Sequence, residues 1–497
     1  MSENFIKPDV LKFRPIDEYA PKYKYRRIPI KVGGDTSFEI TDGATVDAIV
    51  ELPANTVYNL SESFLPYELQ ISNTELANGA NVTFEDTFEI ADNVYFGTNA
   101  GLDLCSLNDA NKYLKIRNKM KTSVTKLLSN DNFDCIKSSN MDITTNIQAT
   151  PYNALANNVY EIITNAATYD STVPVLESRY LYRGPAELDP LPAANLRISA
   201  INRYRHFKLG NINDTIFSMN KDLYFGANEM VIRFRIPTHS KIGFVTSAKN
   251  APTAANSKKF PNSVKVKEFY LYLAVETNEM ICKQLIDKYN SGTLKMQIPY
   301  TVAFKKMTSN AGTVSIQQTF NRSYGKKIKH IMHTVWNPTE QLNTVYDCDN
   351  WNGMKFDDYQ TYLDSVEIQQ QKLSCKLPTA GKMNHGDWLY NKKYCKDSAI
   401  LNGAVYQHNW FHMDQFYEDN KSTNVPDENL DVGLPMTLGN QLLNRTWTIT
   451  GEATGSLMHI TYVTFLRDIA ITPDGVLLDA SGPMTSVTAN ASTNVTA

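Results

Sequence analysis

A chain of 497 residues is too long for one ordinary core, so two domains of about 200 residues each are the default expectation. With 42% hydrophobic residues, 20% charged residues and a net charge of -3 it is no polyelectrolyte, and any affinity for nucleic acid has to come from local basic segments. The six cysteines, Cys105, Cys135, Cys282, Cys348, Cys375 and Cys395, show no C-x-x-C pair and no zinc or disulfide spacing, which fits reduced thiols in an intracellular compartment. No apolar run of about 18 residues could span a bilayer, and the first residues show no apolar signal region.

Residues 1–31 hold eight Lys or Arg against four acids, most of them in "KYKYRRIPIK". Two readings fit. One is a solvated arm. The other is an arm whose Lys22, Lys24, Arg26, Arg27 and Lys31 neutralise nucleic-acid phosphates or meet a membrane, with Tyr23 and Tyr25 offering faces for stacking. Next, "LPYELQI" alternates Leu65, Tyr67, Leu69 and Ile71 with polar residues and reads as a half-buried strand. Stretches such as "ANGANVTFEDT" carry turn chemistry and predict surface loops. The Lys-rich "NDANKYLKIRNKMKTSVTKLL" has a helical pattern interrupted by Asn and Thr. In "EMVIRFRI", Met230, Ile232, Phe234 and Ile236 oppose Glu229, Arg233 and Arg235, again a strand.

The clearest helix is "ETNEMICKQLIDKYNSG". Asn278 can cap its first turn, Ile281, Leu285 and Tyr289 recur at four-residue spacing, and Gly292 ends it. It follows the strand-like "VKEFYLYLAV" and precedes a new strand series at "LKMQIPYTVAF", which makes it the candidate domain boundary. Late in the chain, "LMHITYVTFL" has two largely apolar faces, Met458, Ile460, Tyr462 and Leu466 on one, His459, Val463 and Phe465 on the other, and predicts a strand buried on both sides. The closing "SGPMTSVTANASTNVTA" is too polar to bury and predicts a flexible tail. Many short strands, 27 Tyr and 21 Phe, and few helices point to antiparallel sandwiches.

Against this background a few stretches carry residues of reactive types. "HNWFHMDQF" puts His408 and His412 four apart, as a zinc-binding turn of helix would need, yet no third ligand lies nearby, and alternation reads it as a strand with His408, Trp410, His412 and Asp414 on one face. His330 and His333 in "KHIMHTVW" would point to opposite faces of a strand. "DCDNWNGMKFDD" approaches a calcium loop through Asp347, Asp349 and Asp358, but Gly353 is one place late, Trp351 takes a ligand position and the final Glu is missing, so it reads as a turn. Gly325-Lys326-Lys327 and Gly381-Lys382-Met383 lack the rest of a phosphate loop. No catalytic residue, metal ligand or cofactor is assigned.

The order of segments carries more than any motif. "TVYNLSESFLPYELQI", "NKDLYFGANEMVIRFRIP" and "VKVKEFYLYLAVETNEMICKQLIDKYNSG" resemble the first jelly roll, with its closing helix, of double jelly-roll major capsid proteins. "VSIQQTFNRSYGKKIKHIMHTVWNP", "AVYQHNWFHMDQFYEDNKSTNVPDENLDVG" and "RTWTITGEATGSLMHITYVTFLRDIAITPDG" are similar to the opening strands, a later strand with its acidic loop, and the closing hairpin of the second. The pattern covers roughly residues 35–475 and resembles the lineage of adenovirus, virophages, Polinton-like viruses, adintoviruses and large DNA viruses, the virophage and Polinton-like members most. "ETNEMICKQL" is less charged than the large-virus version of that helix.

The resemblance implies an all-β fold of two tandem eight-stranded jelly-roll sandwiches with a few short helices. It divides the chain into a basic arm (1–31), a first jelly roll with long loops and its helix (32–292), a second jelly roll (293–476) and a tail (477–497). It implies a structural, non-enzymatic protein of the virion whose homotrimers form pseudo-hexagonal capsomers tiling an icosahedral shell around DNA. Its partners would be further copies, a pentameric vertex protein and minor capsid proteins, with the arm inside, facing packaged DNA or an inner membrane. A different class fits the composition too: an all-β carbohydrate-binding or glycoside-hydrolysing protein, whose paired carboxylates no sequence can exclude.

Overall fold

The computed structural model of the chain describes residues 20–40, 45–72, 81–84, 90–99, 101–121, 160–162, 180–182, 200–237, 243–246, 258–259, 263–309, 312–321, 323–336, 355–364, 366–368, 373–374, 411–416, 433–436, 441–450 and 456–478. Before the helix Glu279–Asn290 run β1 (Tyr23–Pro29), β2 (Phe38–Ile40), β3 (Val46–Glu51), β4 (Tyr58–Ser72), β5 (Asn81–Phe84), β6 (Asn93–Thr98), β7 (Asp103–Asn108), β8 (Tyr160–Ile162), β9 (Tyr180–Tyr182), β10 (Ala200–Lys208), β11 (Met230–Ile236), β12 (Gly243–Thr246), β13 (Lys258–Lys259), β14 (Ser263–Lys267) and β15 (Tyr270–Glu276). After it come β16 (Leu294–Ser309), β17 (Gly312–Phe320), β18 (Lys327–Trp336), β19 (Lys355–Leu363), β20 (Val366–Glu367), β21 (Leu373–Ser374), β22 (Phe411–Gln415), β23 (Leu434–Pro435), β24 (Gln441–Thr450), β25 (Ser456–Thr472) and β26 (Gly475–Leu478).

Each half repeats one topology. In the first, β1-β15-β4-β14-β2, with β10 also on β4, faces β3-β11-β6-β7; in the second, β16-β25-β18-β22 faces β17-β24-β19-β20, with β21 also on β19. The opening strand pairs antiparallel with the closing one (β1 with β15, β16 with β25), and the next strand in with the next strand back (β3 with β11, β17 with β24). This inside-out pairing order is that of a jelly roll, and the chain forms it twice.

The strands read from alternation are where they were expected. Leu65, Tyr67 and Leu69 are buried in β4, and Met230, Ile232, Phe234 and Ile236 in β11, where Arg233 and Arg235 stay exposed. β25 is buried on both faces for a specific reason. Ile460, Tyr462 and Leu466 pack into the core they share with the first half, while Val463 and Phe465 pack with Phe320, Ile328 and Ile331 inside the second sandwich. The sheet containing β25 is thus a middle layer.

The connecting helix is built as its sequence suggests. Asn278 Oδ1 accepts from Met280 N at 3.0 Å, Glu279 and Lys288 lie where the helix dipole favours them, and Gly292 ends the helix with φ 66°. Tyr289 is buried and packs edge-on against Tyr224 at 5.1 Å. The Lys-rich segment is also helical, over Ala110–Lys121.

Three expectations need correction. "KYKYRRIPIK" is not a free arm, because Tyr23–Pro29 is the first strand of the first sandwich, in register with Tyr270–Glu276. It is an edge strand with Tyr25 half exposed, and edges tolerate Lys, Arg and Pro because one side of the backbone has no sheet neighbour to satisfy. The calcium-like stretch does not end as a turn either, since Asp358 lies within β19, opposite Ser374 and Thr448. Leu477 and Leu478, expected in the tail, belong to β26 and pair with Ala470 and Ile469, so the second half extends past residue 476; residues 347–354 and 479–497 lie outside the described residues.

The first sandwich has a distinct end. β5 lies in the connection from β4 to β6, β8 and β9 in that from β7 to β10, and β12 and β13 in that from β11 to β14 and β15. These five pair with one another as a separate sheet, β13-β12-β5-β9-β8, so three connections leave the sandwich at one end and form a common crown. The opposite end, or base, holds the connections from β3 to β4, β6 to β7 and β10 to β11, tied by Tyr58 N to Leu223 O at 3.0 Å and Asn99 N to Glu229 O at 2.9 Å.

Candidate functional site

The densest chemistry lies where the two halves meet, and it centres on Asp214. This residue sits in the β10–β11 connection with φ 56°, a left-handed conformation that Asp adopts more readily than most residues. Its side chain is fully buried. Arg117 Nε, from the helix Ala110–Lys121, donates to Oδ2 at 2.6 Å, and Tyr113 OH donates to the same oxygen at 2.7 Å. From the second half, Lys329 Nζ donates to Oδ1 at 3.4 Å, His330 Nε2 lies 3.7 Å from Oδ2, and Thr301 Oγ1 donates to the Asp214 carbonyl at 2.8 Å. Burial alone would raise the Asp214 carboxyl, but Arg117, His330 and Lys329 outweigh it and hold it well below the usual carboxylate range.

Around this cluster the edge strand β7 faces the edge strand β16. The Tyr300 hydroxyl donates to Asp103, and Lys305 pairs with Asp109. Arg467, in β25, stacks its guanidinium 3.4 Å above the Tyr300 ring, and its Nη1 donates to the Asp103 carbonyl at 2.7 Å and its Nη2 to the Ser323 carbonyl at 3.0 Å. Tyr113 packs on Tyr462 at 5.1 Å. Burial, then the neighbouring Asp103, raises the Tyr300 hydroxyl above its ordinary value, so it stays a donor. The seam therefore combines apolar burial with directional ionic contacts from both halves, and it resists sliding as well as separation.

Sequence reasoning missed this site. The partners of Asp214 lie about 100 residues away on either side, and "NINDTIF" taken alone looks like an ordinary turn. The histidines behave as structural residues. His330 and His333 are both buried on opposite faces of β18: His330 Nε2 contacts Thr464 Oγ1 at 2.9 Å, and His333 Nδ1 contacts Thr461 Oγ1 at 2.8 Å. β22 is a strand, as the alternation predicts for "HNWFHMDQF", with Met413 buried and Asp414 accepting from Arg445 Nη2 at 2.7 Å; His408 lies outside the described residues. Among the described residues no three His, Cys, Asp or Glu side chains converge on a metal position, and no helix is long and apolar enough to cross a membrane.

The five basic residues of the opening stretch are spread out. Lys22 lies at the base, where its N–H donates to Glu276 Oε1 at 2.9 Å. From there the strand climbs the sandwich wall. At about 3.3 Å per residue, Lys31 stands roughly 30 Å above Lys22. Arg27 lies over the Tyr270 ring at 3.7 Å, and Lys24 and Arg26 are exposed along the edge. Tyr23 OH donates to Asp222 Oδ1 at 2.9 Å, and Tyr25 packs edge-on against Phe64 at 5.3 Å.

Neither a family model nor a curated protein matches the sequence. Solved structures do. The Faustovirus major capsid protein is similar at TM-score 0.50 and 9% identity, over 91% of this chain and 91% of that one. PBCV-1 VP54, as fitted into a reconstruction of the virophage Sputnik, gives 0.49 at 10% identity over 93% and 98%. The mavirus major capsid protein gives 0.42 at 11% identity over 89% and 90%. The Faustovirus likeness runs nearly end to end and agrees with the strand order in both halves: the chain has the double jelly-roll fold.

Proposed function

We propose that this chain is the major capsid protein of a DNA virus, a building block of the virion with a mechanical rather than catalytic role. The observation that supports the reading most is the seam: two sandwiches of one topology, joined through buried ionic contacts. In this reading three copies form a pseudo-hexagonal capsomer, and capsomers tile an icosahedral shell. Contacts within such a trimer bury over about 2,000 Å² per interface.

The two ends then have different duties. The crown sheet points outward and the base with the connecting helix points inward. Of the five basic residues Lys22, Lys24, Arg26, Arg27 and Lys31, only Lys22 lies at the base, so packaged DNA or an inner membrane meets this residue, while the other four face sideways. A pentameric vertex protein and minor capsid proteins complete the shell.

Light scattering on the purified protein tests the reading, followed by negative-stain microscopy. Particles of about three times 56.1 kDa, or hexagonal arrays, support it. A monomer across micromolar concentrations that binds or cleaves glycans would overturn it.

A further inference from the structure

The joint inside the chain indicates how the next copy attaches. The seam brings one edge of each sandwich together beside the outer face of the β25 sheet: β7, at the edge of the first half's second sheet, meets β16, at the edge of the second half's first sheet. In the repeated topology, β16 corresponds to β1, since each opens its half and pairs with the closing strand. β7 corresponds to β20 and β21, which follow β19 as β7 follows β6. β1 and β20 are also sheet edges, and the seam uses neither. Every chain thus carries one spare edge of each kind.

The spare edges also repeat the seam's polarity. In the seam the acids are on the β7 side, Asp103 and Asp109, and the bases on the β16 side, Lys305 and, from β25, Arg467. Along the spare edges, residues 20–31 hold five Lys or Arg and no acid, whereas residues 355–374, from the start of β19 to the end of β21, hold four acids, Asp364 and Glu367 at the β19–β20 turn among them, against two Lys. Both edges expose apolar surface too, Tyr25 at 50% on one and Val366 at 69% on the other. Isolated exposed apolar residues need no explanation, but here they accompany opposite charge on two strands that the topology makes counterparts.

We infer that the β1 edge of one copy meets the β20–β21 edge of a second copy of this chain, in a head-to-tail contact that repeats the β16–β7 joint. Lys24 and Arg26 face Asp364 and Glu367 across it, and Tyr25 covers Val366. A head-to-tail contact closes into a ring when its rotation divides a full turn. With the joint between copies equivalent to the joint within one, six sandwiches from three copies close it. The inference rests on the trimeric reading above and specifies which surfaces form the trimer.

Charge reversal tests it, with mass read by light scattering and folding by far-UV circular dichroism. Lys24→Glu/Arg26→Glu and Val366→Lys/Glu367→Lys, all at exposed positions, are each expected to weaken trimerisation at least tenfold with an unchanged spectrum. Combined in one chain, the four substitutions restore the trimer, because every contact then joins reversed partners. Mixing the two double variants does not, since alternation cannot close an odd ring. As a second measurement that leaves the charges largely in place, Lys24→Cys/Glu367→Cys is expected to give covalent trimers under mild oxidation. A wild-type trimer whose mass survives both reversals, or whose cysteine variant crosslinks only within single chains, overturns the edge assignment and leaves the trimeric reading standing. A monomeric wild type overturns both.

Discussion

Replacing Asp214 with Asn tests the seam with little change in shape. Asn keeps the side-chain volume and accepts a left-handed backbone almost as readily as Asp, so the φ of 56° adds little strain. What is lost is the negative charge that Arg117 meets at 2.6 Å and Lys329 at 3.4 Å, in a site with no exposure on the carboxylate. Removing one member of a buried ionic cluster costs about 3–5 kcal/mol, since the remaining charges keep their desolvation cost without its compensation. Because the donors come from both halves, the loss falls on their union. Equilibrium urea unfolding, followed by fluorescence and by hydrogen exchange of β18 and of the helix Ala110–Lys121, should show the variant's transition at lower urea and earlier exchange in both elements. A change below about 1 kcal/mol, or exchange altered in one half only, would refute the view that the cluster holds the halves together.

The same carboxylate sets a pH dependence. Its folded pKa lies below its unfolded one, so its contribution is complete above about pH 4 and is lost as the pH falls through the folded value; the gap between wild type and Asp214→Asn should therefore close in acid and stay constant near neutrality. Gly226→Ala should destabilise by about 2 kcal/mol or more in thermal unfolding, because the added methyl would enter the space of the Tyr289 ring at a backbone φ of 60°. Burial, the largest cause, pushes the Cys105 thiol up to about 12, so mass-spectrometric mapping with a thiol reagent should label it only in denaturant; labelling of the native protein at a rate typical of an exposed thiol would contradict this.

Where a strand has one wet face, the sequence displayed it openly. β4 and β11 follow from alternation alone, and the connecting helix from Asn278, its apolar spacing and Gly292. β25 was legible as doubly buried because both of its faces are apolar, although which layers cover it was not. β1 was obscured because an edge strand can expose both faces, leaving Lys24, Tyr25, Arg26 and Arg27 looking like a solvated run. Its signal was present in the tyrosine alternation followed by Ile28 and Ile30 around Pro29, an edge-compatible residue. The Asp214 cluster could not be read, because its members are brought together only by the packing of one sandwich on the other. The spare edges posed the same difficulty: their opposite charges are visible in the sequence, but their correspondence appears only once the strand order of both halves is known.

The crown sheet couples the histories of three separate stretches of chain. β5, β9 and β12 come from different connections, yet each completes the backbone hydrogen bonding of a neighbour. A deletion in any one would leave the adjoining strand with an unsatisfied margin, so change in the crown is constrained to arrive as matched sets, or to be exchanged wholesale. Variation between isolates should accordingly accumulate at the turns between crown strands, sparing their paired backbones.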